Sequence, residues 1–295
     1  MTELFRSALN YISSSQNQSG SQSSEFVGQI IELGHLRLNI RRVLAEGGFA
    51  FIFLAADQKG IEYALKRLLV ADKEGNDAVI REINFLKQLS GHPNVVCCIQ
   101  AASVGKDEYN MGRNEYLILM EYCKNGPLVE ILRGLAEPLS CEQITKIFYQ
   151  TCRAVLHMHS QKPPIIHFDL KTIKLCDFSS ATCNTFSPDH SWSAQQRGIV
   201  EEELARRTTP MYRAPEMLDL YQNLPINEKV DIWALGCVLY YLCYLQHPFE
   251  DSAKLRIINA KYTLPSNGSR YSVFHDLILV TIHQRSPLLW CGLYL

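Results

Sequence analysis

Leu44-Ala45-Glu46-Gly47-Gly48-Phe49-Ala50-Phe51-Ile52 lies between two strand-like runs, and the next run carries Tyr63-Ala64-Leu65-Lys66. Small residues in the first stretch let a backbone fold closely over phosphates, with its N–H groups facing the anion. Alone, two glycines in a hairpin are a turn as readily as an anion cradle. Lys66 adds weight, because an unpaired ammonium inside an apolar strand is costly to bury. It needs anionic partners. Glu82, on the helical stretch that follows, is the best candidate within the chain, with phosphate oxygens of a ligand as the other. Taken singly, Lys66 could be a surface lysine on an edge strand and Glu82 part of a solvated helix face.

The neighbouring segments supply the context. His35–Val43 alternates apolar and polar residues, Phe49–Ala56 is aromatic and apolar, and Glu62–Leu69 is a short apolar run, so all three read as strands. Ala78–Leu89 has helical periodicity through Val79, Ile83, Leu86 and Leu89, and stops at Gly91-His92-Pro93. Glu115–Met120 is strand-like again. Beyond Pro127 the pattern turns helical, with a long amphipathic stretch at Cys141–His159 and a nearly all-apolar, hence buried, one at Val230–Leu245. A small β-rich lobe followed by a helical lobe places the chain among two-lobed α+β folds. There is no internal repeat.

The totals agree with a soluble globular protein: 295 residues, 47% hydrophobic, 20% charged. A net charge of -1 gives no basis for nucleic-acid binding or adhesion to acidic membranes. The ten cysteines include no C-x-x-C pair, so reduced thiols are expected rather than a zinc site. No basic and apolar leader indicates secretion, and no apolar run approaches the ~18 residues of a transmembrane segment. Residues 1–12 could form a short amphipathic turn. Residues 13–24 are Ser, Gln, Asn and Gly, and 1–25 are expected to be a disordered leader.

In the second half, Ile165-Ile166-His167-Phe168-Asp169-Leu170-Lys171 resembles the H-R-D-L-K catalytic loop of protein kinases. Thr208-Thr209-Pro210-Met211-Tyr212-Arg213-Ala214-Pro215-Glu216 resembles their substrate-docking loop ending in A-P-E. Asp231-Ile232-Trp233-Ala234-Leu235-Gly236 resembles the helix that anchors the catalytic loop. With the glycine loop, strand lysine and helix glutamate, these stand in the family's order. The resemblance implies a two-lobed kinase domain over 36–276, its N-lobe ending near residue 123, with ATP and Mg2+ as cofactors. It makes Ala45, Gly47 and Ala50 the small positions of the glycine-rich loop, Ile52 its apolar lid, and Ala64 the roof over adenine. Met120 would be the gatekeeper, with Glu121 to Cys123 offering backbone groups to adenine. Lys66 and Glu82 would clamp the α/β-phosphates and Asp177, in Asp177-Phe178-Ser179, would hold metal. Asp169 would orient the substrate hydroxyl and Lys171 would neutralise charge on the transferring phosphoryl group. Lys171 and Thr209 indicate the serine/threonine class.

Ala45–Phe51, Gly91-His92-Pro93-Asn94, Ile147–Ala154, Trp192-Ser193-Ala194-Gln195 and Gln246–Leu255 are similar to the numb-associated kinase family, a likeness running from about Phe26 to Asp276. That family implies cytoplasmic kinases acting on clathrin adaptor subunits, at clathrin-coated vesicles or perinuclear membranes.

Three departures bear on activity. Asp177 follows Asp169 by eight residues, whereas the family interval is roughly ten residues longer and holds a metal-binding Asn and a hairpin. Lys174 stands in the Asn position, and Thr172–Cys176 suffices for one strand only. Eight residues still reach up to roughly 26 Å, so spacing rather than reach is the obstacle. Second, Phe168 replaces the arginine that reads activation-loop phosphorylation, so that switch is not expected. Third, the pattern fades after Asp276 into the apolar 277–295, which leaves Glu216 without its expected arginine and Leu288, Leu289 and Trp290 as a sticky end. A shortened loop with an unrelated tail is the pattern of an alternative transcript or an imperfect gene model. The expected function is therefore ATP-dependent serine/threonine phosphorylation, with a non-catalytic pseudokinase or splice variant as the alternative.

Overall fold

The computed structural model describes residues 11–12, 26–47, 50–104, 113–126, 128–135, 137–170, 174–265 and 268–283. The chain divides into two compact units, Met1–Gly126 and Pro127–Leu295.

The first unit is built on an antiparallel sheet of seven strands: β1 (Tyr11–Ile12), β2 (Ile30–Leu33), β3 (Leu36–Glu46), β4 (Ala50–Ala56), β5 (Glu62–Val70), β6 (Cys98–Val104) and β7 (Asn114–Glu121). Their spatial order is β1-β2-β3-β4-β5-β7-β6. Side chains alternate across a strand, so register decides which residues share a face. Tyr63 and Leu65 of β5 fall on one face, in an apolar cluster with Phe53, Leu117 and Phe26. Ala64 and Lys66 fall on the other. The three strands anticipated before residue 70 are present. β2 and β6 were not anticipated: β2 is four residues long, and β6 is Cys-Ile-Gln-Ala-Ala-Ser-Val, with little β-branched signal. Tyr11–Ile12 pair with Ile30 and Ile31 as a strand where a helical turn was expected; the rest of 1–25 lies outside the described residues.

Helix α1 (Lys73–Leu89) starts five residues before its periodicity becomes visible, because Lys73–Asp77 carry no apolar residue. Its start is set by chemistry instead. Asp72 accepts a hydrogen bond from the Gly75 N–H at 2.7 Å as N-cap. Glycine at 75 is also a packing requirement, since a Cβ there would collide with Val70 Cγ1 of β5.

The second unit is helical: α2 (Leu128–Arg133), α3 (Cys141–His159), α4 (Ala194–Arg207), α5 (Pro215–Leu218), α6 (Lys229–Tyr244), α7 (Lys254–Ile258) and α8 (His275–His283). α3 has the bounds its periodicity predicts, and a capping box between Ser140 and Gln143 fixes its start. α6 is apolar all round because it is buried on nearly every side. Gly236 lets α8 approach it closely: a Cβ there would lie 2.5 Å from Thr281 Oγ1. α8 runs across Asp276 to His283, with Ile278 and Ile282 buried, so residues 277–283 of the apolar tail are part of this packing. Residues 284–295, including Leu288, Leu289 and Trp290, lie outside the described residues.

Candidate active site

The first unit holds the residues read as nucleotide-binding. Lys66 Nζ donates to Glu82 Oε1 at 2.6 Å, and both are buried, at 8% and 2% exposure. Each explains the other, since a buried charge persists only when paired. Ala45, Ile52 and Lys66 form one row across β3, β4 and β5, and Ala64 pairs with Leu54 and Met120 in the next row. The sheet thus gathers Ala45, Ile52, Ala64, Lys66 and Met120 on a single face. Ala50 closes the hairpin by accepting from the Gly47 N–H at 2.8 Å. Gly48 and Phe49 lie outside the described residues. At the end of β7, the Glu121 N–H bonds Cys97 O at 3.1 Å, and the Cys97 N–H donates to Glu121 Oε1 at 2.7 Å. Recognition of adenine at Glu121 would therefore fall to its carbonyl. Cys123 is exposed, and its carbonyl accepts from Gly126 N–H at 3.1 Å.

The second unit holds the residues read as catalytic. Asp169 Oδ1 accepts from both the Thr209 N–H, at 3.2 Å, and the Thr209 hydroxyl, at 2.6 Å. The docking loop and the catalytic loop are so joined at the carboxylate expected to orient a hydroxyl. Asp231, 1% exposed at the start of α6, anchors that loop by accepting from the His167 N–H at 2.8 Å and the Phe168 N–H at 3.0 Å. His159 Nε2 meets the same carboxylate at 3.0 Å. His159 was not singled out in the sequence; its signal was the need of a buried Asp231 for a cationic or donor partner. Phe168 takes φ 66°, a left-handed conformation that costs a non-glycine residue about 1–3 kcal/mol. Two hydrogen bonds to one carboxylate hold it there. Its side chain is buried, where an arginine would present charge.

The shortened segment is packed at its far end. Phe178 is buried against the His167 ring at 5.3 Å between centroids, and Ile166 and Thr182 exchange backbone hydrogen bonds at 2.8 and 2.9 Å. Asp177 itself is exposed, accepting from the Ser179 N–H at 3.3 Å. Among the described residues of 172–176, Lys174–Cys176, no strand forms, and Leu175 alone is fully buried. Lys171 lies outside the described residues. Asp177 would supply one carboxylate to a Mg2+ ion. Lys174 offers no second ligand, because an ammonium repels a cation, and no group of three His, Cys, Asp or Glu side chains suited to a metal occurs among the described residues.

Helix α4 orders the segment between Phe178 and Glu216. A reciprocal Ser193–Gln196 capping box starts it, a signature already present in Ser193-Ala194-Gln195-Gln196. The buried Arg197 guanidinium ties it down by donating to the carbonyls of Leu220 and Asp189 and to Asn223 Oδ1. Arg213 closes its other end, bonding Thr208 Oγ1 at 2.8 Å and the carbonyls of Ala205 and Thr208 at 3.0 Å. Glu216 is half-buried, and burial pushes its carboxyl above the usual range, opposed by the charge of Lys229.

Residues 38–272 match the protein kinase domain family, and the chain belongs to it. Two probable serine/threonine-protein kinases of Dictyostelium discoideum are 40% and 39% identical to it over 271 and 265 residues, covering 87% and 85% of the chain. A serine/threonine-protein kinase of Schizosaccharomyces pombe is 36% identical over 88% of the chain. The matched regions span only 23%, 32% and 28% of those relatives. Protein kinases use ATP and Mg2+, and the buried lysine–glutamate pair fits the phosphates of that cofactor. No described helix is long and apolar enough to cross a membrane.

Proposed function

We propose that this chain is the kinase domain of an ATP-dependent serine/threonine protein kinase. The observation that carries the reading is the buried Lys66–Glu82 ion pair at 2.6 Å, the phosphate clamp in formed state. In this function Lys66 neutralises the α/β-phosphates and Glu82 holds its ammonium in place. Ala45, Gly47, Ala50 and Ile52 cover the nucleotide, while Ala64, Met120, Glu121 and Cys123 receive adenine. Asp169 orients the substrate hydroxyl, and Lys171 offsets charge on the phosphoryl group. Asp177 would hold Mg2+, which when bound would supply neutralisation of phosphate charge.

The likeness quoted above extends this to the numb-associated branch, and most nearly to cyclin-G-associated kinase, with clathrin adaptor subunits as substrates in the cytoplasm. A second reading, nucleotide binding without efficient transfer, is favoured by Lys174 in the metal-ligand position and the exposed Asp177. Phosphate incorporation into an adaptor-derived peptide separates the two, measured beside Asp169→Asn and a chain with the missing roughly ten residues restored. Turnover equal to the restored chain, lost in Asp169→Asn, supports the enzyme. Turnover only in the restored chain supports the second reading. Absence of an ATP-induced thermal shift, with and without magnesium, refutes both.

A further inference from the structure

Four residues of α1 fall on one helical stripe at spacings of three and four, Asn76, Val79, Ile83 and Leu86, and the C-cap Ser90 follows four residues on. The middle three are apolar and buried against the sheet side of the helix. The two ends are polar, and each is bonded to a strand. Asn76 Oδ1 accepts from Asn114 Nδ2 at 2.8 Å and from the Tyr116 hydroxyl at 2.9 Å, both on β7. Ser90 Oγ accepts from the Cys98 N–H of β6 at 3.0 Å and donates to Leu86 O at 2.6 Å. Tyr116 and Asn114 pair in register with Leu68 and Val70 of β5, two and four residues along from Lys66. The helix that carries Glu82 is thus clasped at one end to β7, which pairs with the strand that carries Lys66, and at the other to β6, which pairs with β7.

We propose that Asn76 is a positioning residue for the Lys66–Glu82 pair, holding α1 against the sheet so that the pair is the built-in state of the chain rather than the product of an activating event. The proposal rests on the reading of that pair as the phosphate clamp. It agrees with Phe168, buried where a phosphate-sensing arginine would stand. Two donors converge on one side-chain oxygen, and an apolar residue at 76 would leave both without it.

The test compares Asn76→Leu, Asn76→Asp, which keeps the acceptor, and Tyr116→Phe, which removes one donor and little else. The direct readout is the rate at which formaldehyde and borohydride methylate Lys66, followed by mass spectrometry; a buried, paired ammonium reacts slowly. Asn76→Leu is expected to raise that rate about tenfold, as loss of two hydrogen bonds shifts a local opening equilibrium. Tyr116→Phe should raise it about threefold. Asn76→Asp keeps the acceptor for β7 but loses the Asn76 Nδ2 donation to Asp72 O, so its rate should fall between the parent and Asn76→Leu. The second readout is ADP affinity in a cycle with Glu82→Gln. Asn76→Leu should weaken binding about tenfold in the parent and little in the Glu82→Gln background, because it acts through Glu82. An unchanged Lys66 rate in Asn76→Leu and Tyr116→Phe, or fully additive losses in the cycle, would overturn the proposal. Absence of ADP binding by the parent would refute the clamp reading alone, since the methylation rate needs no nucleotide.

Discussion

Replacing Asp231 with alanine should loosen the catalytic loop more than any change to its visible motif letters. Asp231 is 1% exposed and serves the His167 N–H at 2.8 Å, the Phe168 N–H at 3.0 Å and His159 Nε2 at 3.0 Å. Alanine leaves the two amides, both buried, without an acceptor, at about 1–3 kcal/mol each. One-sided removal of a buried charge partner usually costs about 3–5 kcal/mol, which also covers the loss to His159. Some of this returns, because Phe168 can leave its left-handed conformation and recover about 1–3 kcal/mol of strain. The net expectation is about 3 kcal/mol, a large part of the ~5–15 kcal/mol that holds a domain together. In urea, with a slope of about 2 kcal/mol/M, the midpoint should fall by about 1.5 M. Asp231→Asn keeps one oxygen but turns an N–H donor toward an amide, so its loss should be roughly half as large. The assays are urea unfolding and amide exchange at His167 and Phe168, which should lose protection first. An alanine variant with the parent's midpoint and unchanged protection at both amides would refute the anchoring argument.

Two further outcomes follow from single contacts. Burial raises the Glu216 carboxyl above its unfolded value, so its charged form costs stability. That cost is absent below the unfolded pKa of about 4.3 and grows as pH rises through the folded value. Glu216→Gln should therefore leave the melting temperature unchanged near pH 4 and raise it near pH 7; a pH-independent difference would contradict this. Gly236→Ala places a methyl 2.5 Å from Thr281 Oγ1 and 2.9 Å from Ile282 Cγ1, so α6 and α8 must separate. The expected cost is about 1–3 kcal/mol in urea unfolding, and a neutral variant would mean that α8 does not pack as described.

Much of the fold was legible because its signals are local. The apolar run of Glu62–Leu69 and the period of Cys141–His159 are each written within a dozen or two residues, and both elements formed with nearly those bounds. The elements missed lacked such a signal. The start of α1 is polar, β6 is mostly small residues, and α4 buries Arg197 while exposing Ile199, so capping chemistry rather than periodicity marks it. The candidate site divided in the same way. Lys66 and Glu82 were paired correctly from the cost of a buried ammonium, a rule that needs no coordinates. His159, Asn76 and Arg197 were not found, because their partners lie 72, 40 and 23 residues away and become neighbours only once strand register and helix packing are set.

For this protein the sequence alone was sufficient for the residue types of the Lys66–Glu82 pair, the order of the kinase motifs and the shortening between Asp169 and Asp177. Those are matters of chemical identity and spacing along one dimension. Only the tertiary structure decided that Ala45, Ile52, Ala64, Lys66 and Met120 share one face, that Phe178 still packs on His167, and that Asp177 is left exposed. Register and burial decide these, and they depend on which distant segment a side chain meets. The same physics makes Phe168 tenable: its left-handed backbone is unfavourable in isolation and is held by the buried carboxylate of Asp231.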